Sequence, residues 1–238
     1  MSSLQEAVQG NLQAVHERIT KAARVAGRDP QSVRLLAVSK TFPAEVVLAA
    51  VAAGQRAFGE NYVQEAADKI QRLRELTDAR PEWHFIGPIQ SNKTRTIAEL
   101  FDWVQSVDRL KTAQRLAEQR PADRPPLNVL VQVNISGEAS KSGVEPAALD
   151  GLAREVARLP RLKLRGLMAI PEPEADETRR RAPLAAMRIL FERLRAGGLP
   201  LDTLSMGMSA DLEDAVLEGS TMVRIGTAIF GERERRKQ

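Results

Sequence analysis

Short apolar runs recur along the chain, and each is followed by a stretch with helical periodicity. "VRLLAVSK" (33–40) reads as a strand, and "AEVVLAAVAAG" (44–54) as a helix stopped by Gly54. "RAFGEN" (56–61) is a short strand before the helical "YVQEAADKIQRLREL". "EWHFIGP" (82–88) and "DWVQSVD" (102–108) are strands, followed by the helices "NKTRTIAELF" and "RLKTAQRLAEQR". The cycle continues with "LNVLVQVNI" (127–135), "LKLRGLMAI" (162–170), "TLSMGM" (203–208) and "MVRIGTAIFG" (222–231) as strands. The helices between them are "PAALDGLAREVARL", "PLAAMRILFERLRAGG" and "ADLEDAVLEG", the last with Ser209 as its expected N-cap.

Eight strands alternating with helices, apolar nearly throughout, predict an α/β fold whose parallel strands are covered on both faces. A chain of 238 residues accommodates one (β/α)8 TIM barrel as a single domain over 1–238. The barrel occupies about 33–231, an extra N-terminal helix 3–26, and a basic tail 232–238. A doubly wound open sheet is the alternative, but neither G-x-G-x-x-G nor G-x-x-x-x-G-K-[ST] occurs. "GEASKSG" (137–143) lacks the glycine before the lysine that a phosphate loop needs.

Composition narrows the chemistry. There is no cysteine, which excludes disulfides and thiolate sites, and only two histidines, His16 and His84, so no metal site is expected. No apolar stretch is long enough to span a membrane and no secretory signal is visible, so a cytoplasmic protein is expected. The net charge of +4 owes much to "TRRRA" (178–182) and the C-terminal "ERERRKQ". With aromatics at 4%, these clusters read as solvated surface, and a nucleic-acid partner is not expected.

A barrel puts its working groups at the C-terminal ends of its strands. Those ends hold Ser39-Lys40, Glu60-Asn61, His84 to Pro88, Ser106 to Asp108, Asn134, Met168, Ser205 to Ser209, and Arg224 followed by Gly226-Thr227. A lysine at a barrel mouth is partly desolvated, which favours the neutral amine that condenses with aldehydes. Its competing reading is a lysine reaching out to solvent. "SMGMS" (205–209) and "IGT" (225–227) offer backbone N–H groups and close approach to an anion. Asp211, Glu213 and Asp214 must then point away from it. Arg224, inside an apolar strand, needs a carboxylate, a phosphate or a ring nitrogen. Amine, phosphate cradle and arginine together suit pyridoxal 5′-phosphate.

The segments "LLAVSKTFP", "FGENYVQEAADKI", "WHFIGPIQSNK", "LRGLMAI", "LSMGMSADLEDAV" and "GSTMVRIGTAIFG" resemble, in the same order, the YggS/PROSC family of pyridoxal phosphate homeostasis proteins. The resemblance spans about 33–231. It implies a barrel like the N-terminal domain of alanine racemase, with Lys40 carrying the cofactor as a Schiff base. It places the phosphate at Ser209, Gly226 and Thr227, with Ser205 and Met206 nearby, and Arg224 at the pyridine nitrogen. Asn61 and His84 fall at positions near the ring. It also implies a carrier or buffer of pyridoxal phosphate that hands it to apoenzymes without robust turnover.

An arginine at the ring nitrogen disfavours pyridinium and weakens the ring as an electron sink. The alternative is an amino-acid racemase with Lys40 as base and Tyr62, the sole tyrosine, on the other face. A class I aldolase-like barrel is a third reading. The chain ends soon after the eighth strand, so a racemase-type second domain and its dimer contact are not expected, and a monomer is. Lys141 is a candidate second amine for cofactor exchange.

Overall fold

The eight apolar runs become eight parallel strands that close on one another in sequence order, β1 through β8, with β8 returning to β1. The structure, a computed structural model, describes residues 3–137 and 142–232. The first half comprises α1 (Ser3–Val25), β1 (Arg34–Val38), α2 (Ala44–Ala52), β2 (Ala57–Glu60), α3 (Val63–Leu76), β3 (Glu82–Phe85), α4 (Thr94–Leu100) and β4 (Trp103–Val107). The second comprises α5 (Leu110–Gln119), β5 (Leu127–Gln132), α6 (Leu149–Ala157), β6 (Leu162–Met168), α7 (Glu177–Ala196), β7 (Thr203–Ser205), α8 (Leu212–Leu217), β8 (Met222–Ile225) and α9 (Thr227–Phe230).

The barrel builds two cores of different character. Outward-facing strand residues such as Phe58, Phe85, Val104, Val129 and Leu167 pack against helix residues such as Ile70, Ile97 and Leu116. All of these are essentially inaccessible. Inside the barrel, the apolar groups form two small clusters. Leu36, Ala57 and Met222 pack with Ile86, while Trp103, Leu130 and Met168 form the other. Gly59 belongs to the first cluster's surroundings, because a Cβ there would meet Ile86 Cδ1 at 3.1 Å and Leu36 Cδ2 at 3.2 Å. The rest of the interior is polar: His84, Gln105, Ser205 and Arg224 are all buried there.

Several strands end earlier than the sequence suggests, and three such differences bear on the mouth. The seventh strand stops at Ser205 rather than 208, because Gly207 takes a φ of 98° and turns the chain beneath α8. A Cβ on Gly207 would lie 2.5 Å from that of Ala215, so this turn requires glycine. Helix α8 starts at Leu212 with Asp211 as its N-cap residue, so Ser209 is not the cap. The eighth strand ends at Ile225, and 227–230 wind into the short α9 rather than extending the strand.

Helix α1 joins the barrel through its buried stripe of Val8, Leu12, Val15, Ile19, Ala22 and Ala23, spaced for one helical face. It packs on α2, α8 and α9. Asn11 donates to the Ile229 carbonyl at 2.9 Å, tying α1 to α9. Among the described residues, no helix is long and apolar enough to cross a membrane.

Candidate functional site

The strand ends converge at the C-terminal mouth. Lys40 is half-buried, one residue past Ser39, in the turn that leaves β1. That turn is strained and clasped: Thr41 has a φ of 71°, and its amide donates to Glu65 at 2.5 Å. Lys69 Nζ donates to the Ser39 carbonyl at 2.7 Å, to Glu60 at 2.6 Å and to Glu65 at 3.0 Å. Ser39 Oγ donates to the same Glu60 oxygen at 2.6 Å. Burial pushes the Glu60 carboxyl above its ordinary value, and the Lys69 ammonium opposes this. Lys69 and Glu60 thus form a buried ion pair that holds the Lys40 turn from behind the barrel wall.

Next around the rim, Asn61 presents a buried side-chain oxygen with no hydrogen-bond partner among the described residues. Gly87 lies directly against the Asn61 backbone, where a Cβ would come within 2.3 Å of the Asn61 carbonyl oxygen. Asn61 borders a cavity of about 330 Å3 whose walls include Ile86, Pro88, Val133, Asn134 and Ile170. This is within the size of small-ligand pockets, which run from about 300 Å3 upward.

Arg224 rises from β8 and is 4% exposed. It forms no ion pair with a described residue: Nη1 donates to Ser205 Oγ and Nη2 to the Ala169 carbonyl, each at 2.8 Å. A guanidinium has five N–H donors, so three remain for a ligand. Burial pulls its pKa down to about 10, with only Asp211 opposing. Beside it, no hydrogen bond to a described residue takes up the amides of Ser209, Gly226 or Thr227. Gly226 sits close against β1, where a Cβ would approach the Val38 carbonyl at 3.2 Å.

Two of the acidic residues that would oppose an anion here are taken up by arginines, and the third caps a loop amide. Glu213 pairs with Arg18 of α1 at 2.7 Å, and Asp214 with Arg180 of α7 at 2.6 Å. Asp211 accepts from the Met208 amide at 2.6 Å. Arg18 Nη2 also donates to the Ser209 carbonyl at 2.9 Å, so α1 braces this loop directly. Two arginines of "TRRRA" are consumed in the same way, Arg180 by Asp214 and Arg181 by Glu218.

The structure therefore brings Lys40, Asn61, Arg224, Ser209, Gly226 and Thr227 to one end of the barrel. It places three other candidates differently. Met206 is wholly buried in the outer apolar core, so its side chain faces away from the mouth. Ser205 lies beneath Arg224 as its hydrogen-bond partner. His84 lies deeper still, inaccessible, stacked on Trp103 with ring centroids 5.1 Å apart. Both of its ring nitrogens are engaged, Nε2 with Glu82 at 2.6 Å and Nδ1 with Gln105 at 2.9 Å, so neither is open to a ligand. Tyr62 is 55% exposed, outside the packed rim. Lys141 and tail residues 233–238 lie outside the described residues. Sequence reasoning missed Gln105, Glu82 and Lys69, and noted Glu60 only as a strand-end group; Gln105 and Glu82 carry a signal, polar residues on the inward parity of strands.

A lysine in the turn that leaves the first strand, an arginine on the last and open amides beside it suit a barrel of the alanine racemase N-terminal-domain class. The family model described as "Alanine racemase, N-terminal domain" matches residues 10–234. Within that class, the chain belongs to the family of pyridoxal phosphate homeostasis proteins. It is 62% identical to the protein of that name from Pseudomonas aeruginosa over 224 residues, covering 94% of this chain and 95% of the relative. It is 56% identical to the Escherichia coli one over 228 residues, covering 96% and 97%. Among solved structures, PipY of Synechococcus elongatus with PLP bound superposes with a TM-score of 0.78 at 38% identity, covering 91% of this chain and all of that one (100%). Alanine racemase from Corynebacterium glutamicum shares the fold alone, at 20% identity and a TM-score of 0.66 over 93% of this chain and 61% of the racemase.

Proposed function

We propose that this protein binds pyridoxal 5′-phosphate at the barrel mouth and serves its homeostasis as a carrier, holding the cofactor on Lys40. The observation that carries the reading is Arg224: a buried guanidinium at the mouth with no ion-pair partner among the described residues and three donors not spent on them. Such a group needs an acceptor from outside the described chain, and an unprotonated pyridine nitrogen supplies one. The open amides of Ser209, Gly226 and Thr227 suit the phosphate, and the orphaned Asn61 oxygen suits a donor on the ring substituents. Bound there, the cofactor would supply an aldehyde with which a primary amine condenses reversibly. Lys40 would supply that amine, its turn fixed by the Lys69–Glu60 pair.

Carriage rather than turnover is supported by Tyr62, whose exposure suits no proton transfer across a bound amino acid. The reading extends to a cytoplasmic monomer that passes the cofactor to apoenzymes. The test is spectroscopic. Addition of pyridoxal phosphate is expected to give the visible band of an amine-linked cofactor, lost in Lys40→Ala, and hydride reduction is expected to fix the mass on the peptide containing Lys40. A colourless protein with that peptide unmodified would overturn the proposal. Chiral analysis after incubation with L- and D-alanine separates carrier from racemase; Lys40-dependent racemisation at tens of turnovers per second would favour the enzyme.

A further inference from the structure

The polar groups inside the barrel form one continuous chain from mouth to floor. Arg224 Nη1 donates to Ser205 Oγ at 2.8 Å, and Ser205 Oγ donates to Gln105 Oε1 at 2.7 Å. Gln105 Nε2 lies 2.9 Å from His84 Nδ1, and His84 Nε2 lies 2.6 Å from Glu82 Oε1. Glu82 closes the chain at the floor against Arg34, at 2.8 Å.

The contacts favour one direction for the protons of this chain. Glu82 is ionised and accepts from Arg34, so the short contact to His84 requires a proton on Nε2. A fully buried imidazole beside one carboxylate favours its neutral form, burial being the main cause. Nδ1 then carries a lone pair and must accept. Gln105 therefore turns its amino group to His84, and its second N–H reaches Met222 Sδ at 3.2 Å. The reversed amide would set its oxygen against both that sulfur and the Nδ1 lone pair. Gln105 Oε1 consequently faces Ser205 and takes its hydroxyl proton, leaving the serine oxygen to accept from Arg224.

We propose that Gln105 and His84 are positioning residues: a one-way relay of donors, Arg224 to Ser205 to Gln105 to His84 to Glu82, fixes the Arg224 guanidinium in place and in plane for its ligand. Aligned hydrogen bonds in a low-dielectric interior polarise one another, so the floor carboxylate supports a guanidinium that pairs with no carboxylate among the described residues. The stack of Trp103 on His84, at 10° between planes, keeps the imidazole in the plane the relay needs. The assignment of Arg224's ligand rests on the function proposed above; the relay itself does not.

The test begins on cofactor-free protein, where only two histidines contribute ring nitrogens. Nitrogen-15 NMR is expected to show His84 as the Nε2–H tautomer, with an Nδ1 resonance displaced toward the hydrogen-bonded range. Gln105→Leu is expected to return Nδ1 to the value of a free lone pair and to merge the separate Nη resonances of Arg224 as its guanidinium begins to rotate. Cofactor affinity in Gln105→Leu is expected to fall roughly tenfold, as for loss of one buried partner, with attachment to Lys40 retained. Ser205→Ala, a smaller change one link nearer Arg224, provides the Arg224 reading if Gln105→Leu fails to fold. An Nδ1–H tautomer in wild type, or unchanged Arg224 resonances in both variants, would overturn the relay. A wild type that takes up no pyridoxal phosphate would overturn the function instead and leave the NMR arm to decide.

Discussion

The outer core and the barrel interior are built from the same eight strands, read on opposite parities, yet they obey different rules. Outward-facing positions hold mainly aliphatic and aromatic side chains such as Phe58, Phe85 and Leu167, packed on helices, with the buried Lys69–Glu60 pair as a local polar exception. Inward positions hold a histidine, an amide, a hydroxyl and a guanidinium, threaded between two small apolar clusters. Burying polar groups gains little stability even when each is hydrogen-bonded, and burying a charge costs more. The outer core therefore accounts for stability, and the interior is shaped by what stands at its mouth.

The largest effect is expected from breaking the outer core. Phe58 is wholly buried with its ring centroid 5.6 Å from that of Trp83, and Phe58→Ala is expected to cost about 3–5 kcal/mol in urea unfolding. The fraction that remains folded should still attach pyridoxal phosphate to Lys40. A lost spectrum at unchanged stability would erase the distinction between the two cores.

Glu82 comes next, because it anchors the interior at the floor. Burial alone would raise its carboxyl, but the hydrogen bond from His84 and the charge of Arg34 outweigh burial and hold it below its ordinary value. A depressed carboxyl stabilises the fold above its unfolded value, and that contribution disappears as pH falls through the carboxylate range. Glu82→Gln is expected to be less stable than wild type at neutral pH. The two melting curves should converge as pH drops through the window, and curves that stay parallel would refute the linkage.

How much of this was legible beforehand follows the same division. Strand order and closure were readable because fully covered strands must be apolar on both faces, as in "LNVLVQVNI" and "VRLLAVSK". Lys40, Asn61 and Arg224 were readable because a polar group at or near the end of such a run is conspicuous. His84 was not placed correctly by that logic. Strands stagger around a closed barrel, so equal distance from a strand's end is not equal height above the floor. Gln105 was visible as a polar residue amid "WVQSV", but its role depends on Ser205, which is 100 residues away in sequence. The Lys69–Glu60 clasp is likewise tertiary: a lysine on a solvent-facing pattern gives no sign that the fold buries it.

Arg224→Met sharpens the contrast by making the interior resemble the outer core. It removes a buried charge that has no ion-pair partner among the described residues and leaves the Ala169 carbonyl without its donor. Replacement of buried charge by apolar volume commonly gains stability, so thermal unfolding is expected to show a gain of about 1–2 kcal/mol. Cofactor affinity should fall in the same variant. A variant that loses both would mean that Arg224 serves the fold first.

The smallest stability effect is expected where the outer helix reaches the site. Arg18 and Glu213 are 37% and 49% exposed, and an exposed pair of this kind contributes less than about 1 kcal/mol. Yet the same guanidinium holds the Ser209 carbonyl, and Ser209 belongs to the loop whose open amides are assigned to phosphate. Arg18→Met should therefore leave the melting temperature nearly unchanged while weakening cofactor binding severalfold. Added salt should weaken wild type toward the variant, because the pair is accessible to counterions. An unchanged affinity in Arg18→Met would confine α1 to covering the barrel. A drop confined to affinity would make the extra helix part of the cradle, and would show the apolar exterior and the polar interior meeting at Ser209.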